Sequence, residues 1–526
     1  MKRFIQFFIL PAAMVALSLA GLLLLIGLKP ENIEDVPVAF KGRFRSMKAY
    51  LQTHPNEWEY TLFLPPESER AFEQSFREME MRRVSSKEIS HFLENQYPLQ
   101  TRLKNVGEEL AVLPGRQGEW FSIRALTLSI YNPATHHLAS VGNFTLFPDN
   151  LFLKLKDSFF SLKTAIGKDE EASIKNLQEQ ISKILLEGYS PIAGTIYKEA
   201  LGKALRYPSF PQLKMETFYY SYPFIPITIA LYAMSTILMI FAFYLHKTSL
   251  LNISLITQWS AFLLHSFVLA MRCFILGRPP VSNMFETVIY VPWVTVIAGL
   301  ILNVFYRMPW LTIASSIASL ILLTILEVTQ LNSSLDNVQA VLNSQYWLII
   351  HVLMVVGSYG FFVLSGVLAH FYLLGYVYSK KETAKLEGVG KALLQCMYIG
   401  TALLISGTIL GGVWAAESWG RFWDWDPKEA WAFISSCIYL MGIHAYTFQH
   451  IGNFGLAIAS IAGLQAISFT WYGVNYILGT GLHSYGFGSG GEAYYFSFLT
   501  AELLFLAVML TYRRRGKWDL YRNKQT

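Results

Sequence analysis

Tryptophans and charged residues are concentrated in segment 414–431, the part of the chain best suited to bind a ligand. From its indoles and charges we select the candidate site residues Trp414, Trp419, Arg421, Trp423, Trp425, Asp426, Lys428 and Trp431. Flat indoles beside fixed charges suit a large, planar, partly charged ligand. The alternative is an interfacial aromatic belt, because tryptophan favours the headgroup level of a bilayer. A belt needs scattered rings without so many charges, and we therefore favour a ligand platform.

Two histidines outside this segment have the chemistry to ligate a metal. His351 follows the aromatic pair Tyr346 and Trp347, and His483 lies in a glycine-rich loop. Imidazole is a good iron ligand, and two imidazoles on opposite faces would hold a planar macrocycle between them. The alternative for each histidine is a role in hydrogen bonding alone. Both fall on the same side of the membrane as the tryptophan segment in the topology given below, which supports the ligand interpretation.

Two further histidines fall inside apolar runs. His444 lies about 24 Å along its helix, close to the opposite face of the membrane. An ionisable group at membrane depth is a functional candidate by default. His265 lies in the middle of another run, where hydrogen bonding between helices is the role that we favour.

The cysteines and the missing motifs exclude several activities. Cys273, Cys396 and Cys437 all lie in apolar runs and form no C-x-x-C pair, so the sequence offers no structural zinc site and no dithiol couple. No C-x-x-C-H motif is present, so the chain is not itself a covalent c-type cytochrome. Because it also has no P-loop and no defensible Ser–His–Asp arrangement, nothing supports ATP-driven or hydrolytic chemistry.

The elements that position these residues are membrane helices. The chain is 53% hydrophobic and only 15% charged, and more than half of its charged residues lie between 29 and 214. The remainder forms apolar runs of the roughly 20 residues that a helix needs to cross a bilayer, without the alternation of barrel strands. We predict ten crossings, at 4–28, 219–245, 253–276, 286–305, 310–328, 345–378, 392–414, 428–448, 454–474 and 494–512. The first is an uncleaved anchor rather than a signal peptide, because it is long and lacks a clear cleavage site.

Basic residues set the orientation of these helices. Under strict alternation the clusters that fall on one side are Lys2-Arg3, His246-Lys247, Arg307, Lys380-Lys381 and Arg513-Arg514-Arg515. Since lysine and arginine are enriched in cytoplasmic loops, this side is the cytoplasm and contains both termini. The tryptophan segment and His483 are then outside. The basic residues flank the membrane, which argues against a nucleic-acid partner.

The charged part of the chain, residues 29–214, is predicted to form a soluble domain. Segments 68–96 and 151–206 have helical spacing of apolar residues, whereas segment 119–147 alternates and is rich in β-branched and aromatic residues. The predicted fold is an all-α polytopic membrane protein of about ten transmembrane helices with an inserted extracytoplasmic mixed α/β domain. Its domains are a membrane anchor (1–28), a soluble domain (29–215) and a membrane domain (216–526).

Several motifs, taken in order, resemble the CcsA (ResC) family of system II cytochrome c biogenesis proteins, within the haem-handling group defined by a tryptophan-rich WWD domain. Segment 414–431 is similar to that domain nearly residue for residue. The segments around His351 and His483 resemble the two external histidine segments of the family, and His444 matches its intramembrane histidine. Loop 277–286 resembles the G-x-x-P-x-S-N-x-x-E loop of the family. The resemblance covers roughly residues 250–512.

The resemblance implies a function and a role for each site residue. The ligand would be haem b, iron protoporphyrin IX, with His351 and His483 as axial ligands at the external platform and His444 as a ligand on the path from the cytoplasmic side. Trp414 and Trp431 would hold the ring, while Arg421 and Lys428 are candidates to pair with the haem propionates. The residues expected to act in the attachment reaction are Trp419, Trp423, Trp425 and Asp426.

The family further implies a cytochrome c synthase (haem lyase) component in the bacterial cytoplasmic membrane. Its partners would be a CcsB (ResB)-like membrane protein, apocytochromes c with C-x-x-C-H motifs, and thiol-reducing proteins outside. Residues 1–215 resemble only part of CcsB, so the second intramembrane histidine must come from a separate chain or be replaced by His265. The alternatives are a haem conduit that serves a separate ligase, and an unrelated permease that uses the tryptophan segment as a gate.

Overall fold

The computed structural model describes most of the second half of the chain and parts of the first. The described residues are 33–40, 43–53, 88, 111–115, 120–122, 126, 129–132, 137–140, 145–168, 170–198, 204–329, 345–479 and 492–522. They form two compact units, one within Leu17–Pro223 and one within Phe224–Thr526. Predicted segment 68–96, apart from residue 88, lies outside the described residues.

The first unit combines short strands with helices. Its strands are β1 (Pro37–Phe40), β2 (Arg43–Ser46), β3 (Ala111–Pro114), β4 (Trp120–Ser122), β5 (Ser129–Asn132), β6 (His137–Ser140), β7 (Ile196–Lys198) and β8 (Ala204–Arg206). The first four form an antiparallel sheet in the order β2-β1-β3-β4, and the others pair as β5-β6 and β7-β8. Its helices are α1 (Met47–Thr53), α2 (Asp149–Gly167), α3 (Glu171–Tyr189) and α4 (Phe210–Ser221).

This unit has its own apolar core. Buried residues from the sheet and from α2 and α3 meet there, including Val38, Leu113, Phe147, Leu155 and Leu185. Helix α4 is joined to the sheet by a buried carboxylate, because the backbone N–H of Ser46 donates to Glu216 over 2.7 Å. Lys214 of the same helix forms an ion pair with the buried Asp35, at 3.0 Å.

The prediction of helix throughout segment 151–206 is wrong in its last part. Helix α3 ends at Tyr189, and residues 196–198 and 204–206 pair as the antiparallel strands β7 and β8 instead. Pro191 lies two residues further on and has no backbone N–H with which to continue a helix. Gly194 then adopts a left-handed backbone conformation, with φ of +76°. The chain therefore turns where apolar spacing alone suggests that the helix continues.

The second unit is a bundle of long helices. They are α5 (Phe224–Tyr244), α6 (Thr248–Leu276), α7 (Met284–Tyr306), α8 (Trp310–Val328), α9 (Leu353–Ser379), α10 (Ala384–Trp419), α11 (Pro427–Thr447), α12 (Asn453–Ser468) and α13 (Glu492–Arg522). A short helix, Gln345–Trp347, and a π-helical turn, Leu348–Val352, lead into α9. A second π-helical stretch, Phe469–Leu478, extends α12.

Eight of these described helices are long and apolar enough to cross a membrane, and the protein is a multi-pass membrane protein. The eight are all of the helices from α5 to α13 except α11. Helix α11, predicted as a crossing at 428–448, carries polar side chains such as Ser435, Ser436 and His444, which lower its hydropathy. The predicted anchor at 4–28 lies outside the described residues. The count of ten crossings therefore remains a prediction.

Helix α9 packs against α7, α10 and α12 in the core of the bundle. The ring of Phe362 in α9 stacks on Tyr439 of α11, with centroids 3.8 Å apart. Around this pair lie buried apolar residues that include Leu364, Leu368, Leu393, Cys396, Leu404 and Ile461. This core fixes the ends of α9 to α12, which carry most of the candidate site residues.

Candidate functional site

A cleft opens at the ends of several helices of the second unit. It lies between the start of α7, the π-helical turn before α9, the end of α10, the tryptophan segment and the π-helical end of α12. Residues on its wall include Ser282, Asn283, His351, Gly411, Trp414, Trp419, Trp423, Lys428, Trp471 and Asn475. The cleft has a volume of about 1270 Å³, part of which is open to solvent. Its wall is mostly apolar and aromatic with a few polar groups, which is typical of small-molecule sites.

His351 lies on this wall with a defined proton position. Its Nδ1 is 2.7 Å from the backbone carbonyl oxygen of Gly407 in α10. A carbonyl oxygen only accepts hydrogen bonds, so Nδ1 carries the proton and donates it. The lone pair of the neutral ring is then on Nε2, which is the state in which histidine ligates a metal. The contact thus selects the tautomer that ligation requires.

Two stacked indoles lie beside this histidine. The rings of Trp347 and Trp414 are 6.4 Å apart and inclined by only 13°. The indole N–H of Trp347 donates to Glu417 over 2.8 Å, which anchors the pair to α10. The ring of His351 meets Trp414 at a centroid distance of 5.9 Å. Sequence reasoning selected Trp414 but not the anchor Glu417, because nothing in the spacing of the two residues shows that they pair across helices.

The backbone of the tryptophan segment is shaped by its charged residues. Helix α10 ends at Gly420, whose φ is +73°, and Arg421 forms an ion pair with Asp424. The Asp426 side chain caps α11 by accepting the N–H of Lys428 at 2.9 Å. Glu429 accepts the backbone N–H groups of Asp424 and Asp426, at 2.9 and 3.2 Å. These carboxylates therefore hold the turn between α10 and α11.

The predicted indoles divide into two groups. Trp414, Trp419 and Trp423 line the cleft. Trp425 does not line it; its side chain is 68% exposed and its ring meets Trp423 edge to face. Trp431 packs against Phe469, with centroids 4.2 Å apart, and is likewise absent from the cleft wall.

Lys428 brings a positive charge to the cleft wall. Its ammonium group donates to the amide oxygen of Asn475 over 2.9 Å, and both residues line the cleft. Arg421, the other predicted cation, is paired with Asp424 and is not on the wall of the cleft as described. An ammonium group at this position favours a ligand with an anionic substituent.

A buried ionic cluster supports loop 277–286, part of which lines the cleft. The Glu286 carboxylate accepts hydrogen bonds from Arg272 at 3.3 Å and from Arg278 at 3.1 Å. It also accepts the backbone N–H and the hydroxyl of Ser282, at 2.8 and 2.7 Å. Asn283 caps α7 through the N–H of Glu286, at 2.8 Å. The loop motif singled out in the sequence thus lines the cleft and is fixed by residues behind it.

The remaining predicted histidine ligands are not part of the described cleft. His483 lies outside the described residues. His444 is on α11, sixteen residues beyond Lys428 and so about 24 Å along the helix at ~1.5 Å per residue. Its ring is exposed, and its Nδ1 donates to the carbonyl oxygen of Leu440 at 2.8 Å. This bond again leaves the lone pair on Nε2.

His265 is buried between helices with both ring nitrogens engaged. Its Nε2 donates to the carbonyl oxygen of Ile289 at 3.0 Å, and its Nδ1 accepts the hydroxyl of Tyr232 at 3.3 Å. Only 2% of the residue is exposed. These contacts join α5, α6 and α7, and they agree with the expectation of a hydrogen bond between helices.

Another histidine of the bundle, His370, has a carboxylate partner. Nε2 of His370 in α9 lies 3.1 Å from Glu502 in α13, and Nδ1 donates to the carbonyl oxygen of Gly366 at 2.8 Å. The His370 ring also stacks on Phe505, at 4.8 Å. The sequence does not reveal this pair, because the two partners are 132 positions apart.

Comparison with known proteins gives consistent matches for this half of the chain. Residues 281–483 match the model of a family described as cytochrome C assembly protein. The chain is 33% identical to protein NrfI of Wolinella succinogenes over 237 residues, which cover 44% of this chain and 26% of NrfI. It is 30% identical to a cytochrome c biogenesis protein CcsA of Prochlorococcus marinus over 264 residues, or 43% of this chain and 82% of that protein. For CcsA of Trachelium caeruleum the identity is 30% over 251 residues, covering 40% and 78%.

Proposed function

Because the chain belongs to the CcsA family of cytochrome c biogenesis proteins, we propose that its cleft holds haem and promotes the covalent attachment of haem to apocytochromes c. Membership itself gives a role in cytochrome c maturation. Haem b is the substrate in this proposal rather than a resident cofactor. The enzymatic role would be that of a cytochrome c synthase component.

The observation that carries the proposal is the state of His351. Its Nδ1–H bond to Gly407 places the lone pair of the neutral ring on Nε2, and its ring lies on a wall shared with four indoles. Aromatic faces favour stacking on a flat ring. An imidazole in its ligating tautomer next to flat aromatic surfaces suits an iron porphyrin better than a linear or purely polar substrate.

We assign the second axial position to His483, from the opposite face of the ring. This assignment rests on the family motif, since the residue lies outside the described part of the chain. Two axial imidazoles would hold the iron and tune its potential. We assign the contact with a haem propionate to Lys428, supported by its position on the cleft wall. Arg421, which is paired with Asp424, is the weaker candidate for a second such contact.

The proposed reaction is an addition of thiols to vinyl groups. Each cysteine thiol of a C-x-x-C-H motif adds across one vinyl group: a carbon–sulfur bond forms, the vinyl double bond becomes single, and the thiol hydrogen ends on the second vinyl carbon. No electron is gained or lost, provided that the thiols arrive reduced, which is the role of thiol-reducing partners outside. Positioning alone can lower such a barrier by about 7–11 kcal/mol.

Among the residues predicted to act in this step, Trp419 and Trp423 line the cleft, which supports a role in holding the ring. Trp425 has an exposed indole, which suits contact with the incoming apocytochrome rather than with haem. Asp426 acts through the backbone, since its carboxylate caps α11. Trp414 supports the ring of His351, and Trp431 supports α11 through Phe469.

We further propose that haem enters at His444 and moves outward to the cleft. The exposed ring of His444 suits a site completed by a second chain, and we assign the second imidazole there to a CcsB-like partner. His265 is a poor substitute, because both of its nitrogens already form hydrogen bonds within the bundle. In this scheme the protein lies in the bacterial cytoplasmic membrane, with both termini in the cytoplasm and the tryptophan segment and residues 29–215 outside.

The test is a reconstitution in a bacterial host that lacks its own cytochrome c maturation pathway. The chain is co-expressed with a C-x-x-C-H reporter, with and without a CcsB-like protein, and covalent haem is read by haem staining after denaturing electrophoresis. We expect a stained reporter with the wild-type chain and none with His351→Ala or His483→Ala. His450→Ala, an exposed histidine away from the cleft, is the matched control and should behave as wild type.

The alternatives predict different results in the same experiment. A haem conduit would show a Soret band on the purified chain without any stained reporter. A chain that does not handle haem would show neither. A purified His351→Ala, His483→Ala double variant with an unchanged six-coordinate spectrum would contradict the ligand assignment itself.

A further inference from the structure

We propose that Gly407 and Gly411 of α10 are positioning residues that fix the orientation and the proton state of the His351 ring. The inference deepens the proposed function, since it rests on His351 as a haem ligand. Neither glycine was selected from the sequence, where they are two small residues in an apolar helix.

Gly407 brings its carbonyl oxygen within reach of the ring. A Cβ atom at this position would stand 2.7 Å from Cγ2 and 3.2 Å from the backbone nitrogen of Val355. With glycine, α10 approaches the start of α9 closely enough for the 2.7 Å bond from Nδ1 of His351. A carbonyl oxygen has two lone pairs, so it accepts this bond in addition to the one within its own helix. Any side chain here would separate the two helices and lengthen the bond to the ring.

Gly411, one turn further along α10, leaves the space that the ring occupies. A Cβ atom there would stand 2.5 Å from Cε1, 2.9 Å from Nδ1 and 3.1 Å from Nε2 of His351. All three atoms lie on the nitrogen-bearing edge of the imidazole, so even a methyl group displaces both nitrogens. The ring also meets Trp414, at a centroid distance of 5.9 Å, which limits the space into which it could be displaced.

The two glycines therefore act together. One supplies the acceptor that holds the proton on Nδ1, and the other leaves room for the nitrogen-bearing edge of the ring beside that acceptor. A partner that orients a metal-ligating histidine typically changes metal affinity or activity by about 10–100-fold when it is altered. Here the partner that orients the histidine is the backbone carbonyl group of Gly407. The positions most sensitive to mutation are therefore those where a side chain must be absent.

The first test uses haem-free protein and does not depend on the proposed function. Melting temperatures are compared for the purified wild type, Gly411→Ala, His351→Ala and the double variant. We expect Gly411→Ala to lower the melting temperature when the imidazole is present and to leave it equal or higher in the His351→Ala background, because alanine favours helix over glycine. If Gly411→Ala does not accumulate at all, the double variant should restore accumulation. An equal loss in both backgrounds overturns the proposal.

Gly400→Ala is the matched control for this cycle. It lies on the same helix, and its Cβ would stand 2.7 Å from the ring of Phe362, away from the cleft. Its effect on the melting temperature should be the same with and without the His351 imidazole. If the effect of Gly400→Ala on the melting temperature also depends on His351, the cycle measures a general loss of packing in the bundle rather than a local contact. This result would count against the proposal.

The second test measures the binding of haemin. Haemin is titrated into wild type, Gly411→Ala and Gly400→Ala, and both the affinity and the absorption spectrum are recorded. We expect a roughly 10–100-fold weaker affinity and a changed spectrum for Gly411→Ala only. If His351→Ala loses haemin while Gly411→Ala binds it with the wild-type spectrum, the positioning role is wrong and the proposed function stands. If the wild type binds no haemin, the proposed function fails, and the melting cycle alone decides whether the glycines orient the ring.

Discussion

The ionic cluster behind the cleft gives the prediction with the largest expected effect on stability. Glu286 is fully buried, lies between two guanidinium groups and accepts four hydrogen bonds. Glu286→Gln removes the negative charge and leaves Arg272 and Arg278 buried beside a neutral amide. Removing one partner of a buried ion pair costs about 3–5 kcal/mol. Because glutamine keeps one acceptor oxygen, we expect the lower end of this range, about 3 kcal/mol, which is roughly a hundredfold change in the unfolding equilibrium.

The assay is equilibrium unfolding of the purified protein in detergent, followed by tryptophan fluorescence. Glu387→Gln is the matched control, because Glu387 forms an exposed ion pair with Lys391 within one helix. Exposed pairs contribute little, and this variant should unfold as wild type does. If Glu286→Gln and Glu387→Gln unfold at the same denaturant concentration, the buried cluster does not stabilise the fold and the reasoning is refuted.

Three further predictions concern the cleft and the bundle. Lys428→Met should bind haemin about tenfold more weakly than wild type, as expected for the loss of a charged hydrogen bond. Haem dimethyl ester, which lacks the propionate charge, should bind equally to the wild type and to Lys428→Met. An equal loss of affinity for the two ligands would refute the contact. Trp423→Ala should retain less haem per protein than Trp425→Ala, measured by Soret absorbance, because only the first indole lines the cleft; the reverse order would contradict this placement. Glu502→Gln should weaken the contact with His370 by about 1 kcal/mol and speed amide hydrogen exchange in residues 492–514. Unchanged exchange would show that the pair does not hold α13 in place.

The membrane helices were the most predictable part of the fold. The structure places α5, α6, α7 and α8 within five residues of the predicted runs, because hydropathy and helix length both follow from the bilayer. Helix α10 differs, since the run at 392–414 underestimates it by several residues at each end. Its start is set by the Thr383 cap and its end by Gly420, and its first turns are charged. Hydropathy reports the apolar middle of such a helix and misses its polar ends.

The tryptophan segment was recognisable from composition, but the role of each indole was not. Trp423 and Trp425 are two residues apart, yet one lines the cleft and the other is 68% exposed. The difference arises in the turn, where Trp425 has a left-handed φ of +56°. A residue with a side chain rarely adopts this conformation, which costs roughly 1–2 kcal/mol. Nothing in the sequence marks Trp425 for it.

The contacts that complete the site are tertiary and were largely hidden in the sequence. Glu417, Asn475 and Gly407 each contact a site residue on another helix, at separations of 47 to 70 positions. The spacing of Gly407 and Gly411 is a signal for close helix packing, since small residues four apart let two backbones approach. This spacing predicts where two helices pack closely, but it does not identify the histidine that lies between them.

The two π-helical stretches determine how the cleft would respond to a deletion in the chain. Each widens a helix where it reaches the cleft: Leu348–Val352 contains His351, and Phe469–Leu478 contains Trp471 and Asn475. A wide turn accommodates one additional residue, and each residue turns an α-helix by ~100°. Deleting one residue from either stretch would rotate the helix on one side of the deletion by ~100° relative to the cleft wall. Such a deletion is therefore expected to disrupt the cleft as severely as the replacement of a side chain that lines it.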